Sequence, residues 1–259
     1  MATVFEIGVA GLGAMGFGMA KSLLRSGFVV TGYDISPKAM ERMQAAGGRT
    51  VSMVAELARA AEVFICMVAT SAQASRLFFG PHSGALWHLP KSSIIILAIT
   101  ASPDFFRAFQ DKVSVVGRTD IEVVDCPVSG GEARASTGNL TLLCSGDSEC
   151  LSRLTPVLRT VASQIHTVPG ALGAASRVKF VHQVFVGANI AAAVEVAALS
   201  QLAGLALRDI HDYIMDGDGA SWLFSQRVQH ILDPDSIPAS SLSIITKDMV
   251  SLPMHVDTF

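Results

Sequence analysis

"FEIGVAGLGAMG", residues 5–16, decides how the rest of the chain is read. A short apolar run passes straight into glycines spaced G-x-G-x-x-G, and a helical pattern follows. In that setting each glycine has a task. Gly11 makes the tight turn off the strand, Gly13 lets the backbone approach a pyrophosphate, and Gly16 lets the helix lie close against the strand. The helix N-terminus then offers N–H groups and the positive end of its dipole to the phosphates. Leu12, Ala14 and Met15 complete the loop and count with it as cofactor-binding positions. Eighteen residues after Gly16, at the end of the next apolar run, stands Asp34. A carboxylate there suits the two ribose hydroxyls of NAD and repels the 2′-phosphate of NADP. No arginine follows it directly; Lys38 is the one nearby feature that favours NADP. A glycine-rich turn can also be a plain strand–helix connection. Here the strand, the helix and the acid agree, so the expected ligand is a dinucleotide, NAD rather than NADP.

Outward from this loop, short β-branched runs alternate with helical patterns. Strands are expected at 5–10, 29–33, 63–68, 93–99, 122–126, 140–145 and 164–168. Ser36-Pro37 and Ser102-Pro103 each put a capping hydroxyl before a proline at the first helical position. Such alternation predicts a parallel, doubly wound sheet. Beyond Pro169-Gly170 the strand pattern stops, and helices are expected at 174–203, 207–215, 220–231 and 240–250. The reading is therefore an α/β Rossmann-type domain over 1–168 and an all-helical domain over 169–259.

The bulk numbers exclude several classes of function. The chain has 259 residues, 50% of them hydrophobic, and a formal net charge of −3 with no Lys/Arg block. Nucleic acid is not an expected partner, because phosphate binding needs a concentrated positive patch. The four cysteines show no CxxC pairing and no metal-ligand spacing, which suits reduced thiols in a cytoplasmic protein. The start "MATVFEIGVAGLG" carries no basic, removable apolar segment. The apolar stretch 184–207 is interrupted by Asn189, Glu195 and Gln201, each expensive in hydrocarbon. It is expected to be buried between protein surfaces, with no membrane involved.

Two further stretches carry candidate chemistry. "DCPVSGG" (125–131) follows a strand, and Ser129, Gly130 and Gly131 offer a hydroxyl and two unhindered N–H groups that can hold a carboxylate. On composition alone, a plain loop needing glycine for positive φ is the better reading. "SRVKFVHQ" (176–183) places Lys179, His182 and Gln183 at i, i+3 and i+4, one face of a helix. A lysine at a helix start is ordinarily a solvated end, and a neighbouring histidine is ordinarily structural.

"GLGAMG", "DCPVSGG", "RVKFVHQ" and "SIITKDM", in this order, resemble the β-hydroxyacid dehydrogenase family over essentially the whole chain. The family includes 3-hydroxyisobutyrate, L-threonate and 6-phosphogluconate dehydrogenases and tartronate semialdehyde reductase. The resemblance implies a Rossmann domain followed by a helical domain, with the active site in the cleft between them. It implies that Met15 and Thr100 lie near the nicotinamide end of the cofactor, with Met67, Val68 and Lys247 also on the cofactor side. It makes Ser129, Gly130 and Gly131 the substrate-carboxylate loop and Lys179 the general acid/base. His182 and Gln183 would hydrogen-bond the substrate or hold the lysine. An amine in a largely apolar cleft is driven toward its neutral form, which can take a hydroxyl proton.

The expected reaction is hydride transfer between NAD and a small 3-hydroxy or sugar acid, in a homo-oligomer assembled through the long helix. Departures from the family pattern bear on the substrate. Gln183 stands where many members have Asn, His182 resembles the 6-phosphogluconate type, and Asn139 replaces Thr. Family members usually continue for some tens of residues after "KD", whereas this chain stops at Phe259, so the helical domain is read as incomplete at its C-terminus. That keeps open a second reading: an NAD-binding protein with little or no turnover. Imine reduction on the same scaffold fits less well, since a dedicated lysine base suits alcohol oxidation.

Overall fold

The computed structural model describes residues 5–81, 83–233 and 235. Its first strand, β1 (Glu6–Ala10), is buried along four of its five residues and leads through the glycine loop into α1 (Ala14–Arg25). The chain then runs β2 (Val29–Tyr33), α2 (Pro37–Ala45), β3 (Arg49–Thr50), α3 (Val54–Arg59), β4 (Val63–Cys66), α4 (Ser71–Phe79), β5 (Ile94–Leu97), α5 (Pro103–Val115) and β6 (Glu122–Asp125). These strands form one parallel sheet in the order β3-β2-β1-β4-β5-β6.

Both faces of the sheet are covered, so its central strands are buried throughout. The period-2 alternation of strand side chains sorts them into two cores. Val63, Ile65, Ile94 and Ile96 join Ile7, Val9 and Leu23 on one face. Phe64, Cys66, Ile95 and Leu97 meet Phe78, Phe106 and Phe109 on the other.

The structure departs from the single expected sheet in one respect. β7 (Val128–Ser129), β8 (Leu140–Cys144) and β9 (Ala162–Thr167) form a separate three-stranded sheet, with α6 (Gly131–Thr137) and α7 (Ser148–Val161) between its strands. Here β7 pairs antiparallel with β8, which turns the chain out of the parallel sheet. β3, α3 and β7 are absent from the sequence reading because they span two, six and two residues, too few to show a period. Ser102 caps α5 as expected, its hydroxyl accepting from Phe105 N. Ser36 does not cap α2 with its hydroxyl; instead its backbone N–H donates to Asp34.

The chain divides into two compact units, the first ending at Lys179 and the second beginning at Phe180. The division falls inside α8 (Ala174–Leu202), which is followed by α9 (Leu207–Met215) and α10 (Trp222–Leu232). The expected helix at 240–250 lies outside the described residues. In the second unit Ala193, Phe224 and Val228 form a small core against Leu207, Ile214 and Leu232. Asn189, one of the polar interruptions in α8, accepts a hydrogen bond from Ser221 Oγ at 2.8 Å, and Ser221 caps α10.

Among the described residues, much of the apolar surface of α8 is exposed rather than buried as expected. Phe185 is 69% exposed and Leu202 84%. Its apolar residues face all round, so a single neighbouring layer cannot cover them. Among the described residues α8 is the helix long and apolar enough to cross a membrane, and only 11% of its most apolar window is buried.

Candidate active site

The carboxyl ends of β1, β2, β4 and β5 bring the expected cofactor positions together. β1 and β4 are neighbours although the chain visits β2 and β3 between them, which makes their ends the switch point where open α/β sheets bind ligands. Gly11 N donates to Tyr33 O at 2.9 Å, tying the loop to the end of β2. Met67 N donates to Ala10 O at 2.8 Å, which sets Met67 and Val68 beside Gly11. Thr100, half-buried, follows β5, whose end is joined to β4 by Ala98 N donating to Cys66 O at 2.9 Å.

A Cβ at Gly16 would overlap the Gly11 carbonyl, so only glycine lets α1 start this close to the strand. A Cβ at Gly13 would meet nothing within 4 Å. That side of the loop is open, as a backbone cradle for a pyrophosphate must be. Leu12 is buried beneath the loop, while Ala14 is exposed and Met15 half-buried at the helix start. Asp34 accepts from Leu12 N at 2.6 Å and from Ser36 N at 2.8 Å. Each of its oxygens keeps a lone pair for a further donor, such as a ribose hydroxyl. These residues fit a dinucleotide.

An arginine does reach the loop: Arg42 on α2 donates to Leu12 O at 2.8 Å, and its guanidinium lies 4.0 Å from the Phe17 ring centroid. It escapes notice in the sequence because it lies on the second turn of α2, well past the end of β2.

The second glycine-rich stretch is built differently. Ser129 ends β7, paired with Thr141 of β8. Gly130 has φ +139° and Gly131 φ +75°, so the plain requirement for glycine is met at both positions. They also start α6, which points backbone donors into the same loop. Lys179 is 5% exposed, and its Nζ donates to Val128 O at 2.9 Å. Two motifs 51 residues apart therefore meet: the lysine amine stands at the residue immediately before Ser129.

Lys179, His182 and Gln183 lie on α8 with the expected spacing. Unlike the buried lysine, His182 is exposed; its Nδ1 lies 3.1 Å from Gln183 Oε1. Lys247 lies outside the described residues. All four cysteines are free and buried. Burial pushes the Cys66 and Cys150 thiols up to about 12, so neither is poised as a nucleophile.

A buried group beside the loop escapes sequence reading. Asp125, at the end of β6, accepts from the backbone and hydroxyl of Ser176 and from Ser145 Oγ. In the sequence it closes the apolar run "EVVD" and opens "DCPVSGG", with nothing local to show what it binds.

Comparisons with known proteins agree with this geometry. Residues 6–170 match the NAD binding domain of 6-phosphogluconate dehydrogenase, and residues 173–253 match the NAD-binding domain of NADP-dependent 3-hydroxyisobutyrate dehydrogenase. The L-threonate dehydrogenase of Cupriavidus necator is 38% identical over 94% of this chain and 81% of its own length. That of Escherichia coli K12 is 34% identical over 95% and 80%. A crystal structure of 3-hydroxyisobutyrate dehydrogenase from Salmonella typhimurium superposes with a TM-score of 0.88 at 32% identity, covering 98% of this chain and 87% of that one. The chain belongs to the β-hydroxyacid dehydrogenase family, NAD(P)-dependent oxidoreductases of the 3-hydroxyisobutyrate dehydrogenase type.

Proposed function

We propose that this protein is an NAD-dependent dehydrogenase of a small 3-hydroxy or sugar acid of the L-threonate kind, with Lys179 as its general acid/base. The meeting of Lys179 Nζ with the carbonyl before Ser129 carries the reading. In it, Ser129, Gly130 and Gly131 hold the substrate carboxylate through a hydroxyl and backbone N–H groups. The neutral Lys179 amine then takes the proton from the substrate hydroxyl, and in the reverse direction the ammonium returns it. The glycine loop would hold NAD, and the chemistry that NAD would supply there is a hydride acceptor for the carbinol carbon. His182 and Gln183 hydrogen-bond the far end of the acid, and their difference from Asn-bearing relatives suits a polyhydroxylated chain. Gly11 to Gly16, Met67, Val68 and Thr100 would hold the cofactor.

Lys179→Met keeps length and apolar bulk and removes the amine. With L-threonate, 3-hydroxyisobutyrate, L-serine and glycerate screened by NAD reduction, the variant's kcat should fall about 10²–10⁴-fold with NADH affinity unchanged. Near-full turnover would move the base elsewhere, with His182 next in line. A parent chain that binds NADH yet oxidises none of these acids would favour the reading as a cofactor-binding protein with little turnover.

Asp34, held by two backbone N–H groups, underlies the choice of NAD over NADP. NADH should bind more tightly than NADPH in a fluorescence titration. NADPH tighter by tenfold, about 1.4 kcal/mol, would overturn that assignment and point to Arg42. A second copy packed along α8 is the proposed cover for its open apolar surface, and the free thiols suit the cytoplasm.

A further inference from the structure

We infer that Asp125 is a positioning residue for Lys179: its buried carboxylate ties the first turn of α8 to the end of β6 and fixes where the lysine amine stands beside the substrate loop. The inference rests on the general acid/base assignment proposed above. Asp125 is fully buried. Its Oδ2 accepts from Ser176 N at 2.8 Å and from Ser145 Oγ at 3.2 Å, and its Oδ1 accepts from Ser176 Oγ at 2.8 Å. Ser145 Oγ in turn accepts from Ala175 N at 3.0 Å. Two of the backbone donors that a helix start leaves without intrahelical partners therefore end in this cluster. Asp125 and Ser145 are also bonded backbone to backbone in both directions, at 3.0 and 2.9 Å, so the carboxylate is itself held. Val128 comes three residues after Asp125, and Lys179 comes three residues after Ser176. From that shared clasp the two segments run to the 2.9 Å contact between Lys179 Nζ and Val128 O.

Burial pushes the Asp125 carboxyl up to about 6, while the donors from Ser176 and Ser145 pull it down. The native chain thus holds this proton more tightly than the unfolded one between pH 3.8 and about 6. Ionising Asp125 at neutral pH therefore takes stability from the fold. An apolar side chain there would leave the Ser176 N–H and the hydroxyls of Ser176 and Ser145 without this acceptor. What the acid supplies is two acceptor oxygens aimed at one helix turn.

Acetylation of Lys179 by an amine-reactive ester, followed by peptide mass spectrometry, reads the placement without needing turnover. Buried Cys66 in β4, probed with a thiol reagent, reports general opening. Asp125→Ala should raise Lys179 acetylation about tenfold and lower kcat by a similar factor, with NADH affinity and Cys66 reactivity unchanged. Asp125→Asn retains an acceptor for Ser176 N–H and should return both values to within about threefold of the parent. Where Asp125→Ala does not fold, Ser176→Ala keeps the backbone donor and should raise acetylation about threefold. Acetylation unchanged in the variants, or rising only together with Cys66 reactivity, overturns the inference. Acetylation raised with kcat unchanged overturns its link to the reaction. Full turnover by Lys179→Met removes the base assignment beneath it, an outcome read from a different variant.

Discussion

The two glycine-rich loops of the first unit have similar compositions and different physics. In the cofactor loop, Gly16 is required by a neighbour, because any side chain would strike the Gly11 carbonyl, while Gly13 faces open space. In the substrate loop, Gly130 and Gly131 are required by their own backbone angles, +139° and +75°. The first loop thus adds a packing requirement at Gly16 to one positive-φ turn, Gly11 at +92°, and leaves the Gly13 side clear for a ligand. The second is a turn set by backbone angles, met next door by a lysine from 51 residues away that donates to Val128 O. A glycine count cannot separate these cases; only the reason for each glycine can.

Substitutions can break that distinction. Gly16→Ala should have the largest effect, a loss of about 3 kcal/mol or more in urea unfolding, since α1 must move off the sheet. Near-parental stability would mean that the helix start yields easily and the packing account is wrong. Gly130→Ala should cost about 1–3 kcal/mol from backbone strain and raise KM for the acid, with NADH affinity unchanged. A parallel loss of NADH affinity would show that the two loops answer to one ligand. Gly13→Ala should alter stability by less than about 0.5 kcal/mol. Yet it should weaken NADH about tenfold, or ~1.4 kcal/mol, because its methyl would enter the open side of the loop. Unchanged NADH binding there would place the pyrophosphate elsewhere.

The cofactor end was legible because it is local. Strand, glycines, helix and acid fall within thirty residues and follow one another in space as in sequence. Residues 174–202 and 207–215 were readable as helices from their continuous patterns. The second sheet was not legible, since β7 is two residues long and its pairing with β8 carries no period. Lys179 was readable as a site only through the family resemblance, because its partner is a backbone carbonyl that any residue could supply. Asp125 was missed for a related cause: its meaning depends on Ser145 and Ser176, twenty and fifty-one residues on. Ser36 misled because the serine–proline pair marks the helix start correctly while the carboxylate of Asp34 claims the backbone N–H beside it.

Helices α1 and α6 meet where Gly18 would put a Cβ 2.6 Å from that of Ala135. Ser22 Oγ donates to Ala135 O at 2.8 Å in the buried seam, and Arg25 donates to Ser136 O at 3.0 Å. One of these helices begins at the cofactor loop and the other at the substrate loop. A lineage descended from this chain therefore has little freedom to acquire a new substrate by sliding one loop past the other. Growth of the side chain at position 18 or 135 would disturb both loops at once. Under the proposed function, divergence in what is oxidised would have to be written outside this seam, while the seam stays unchanged.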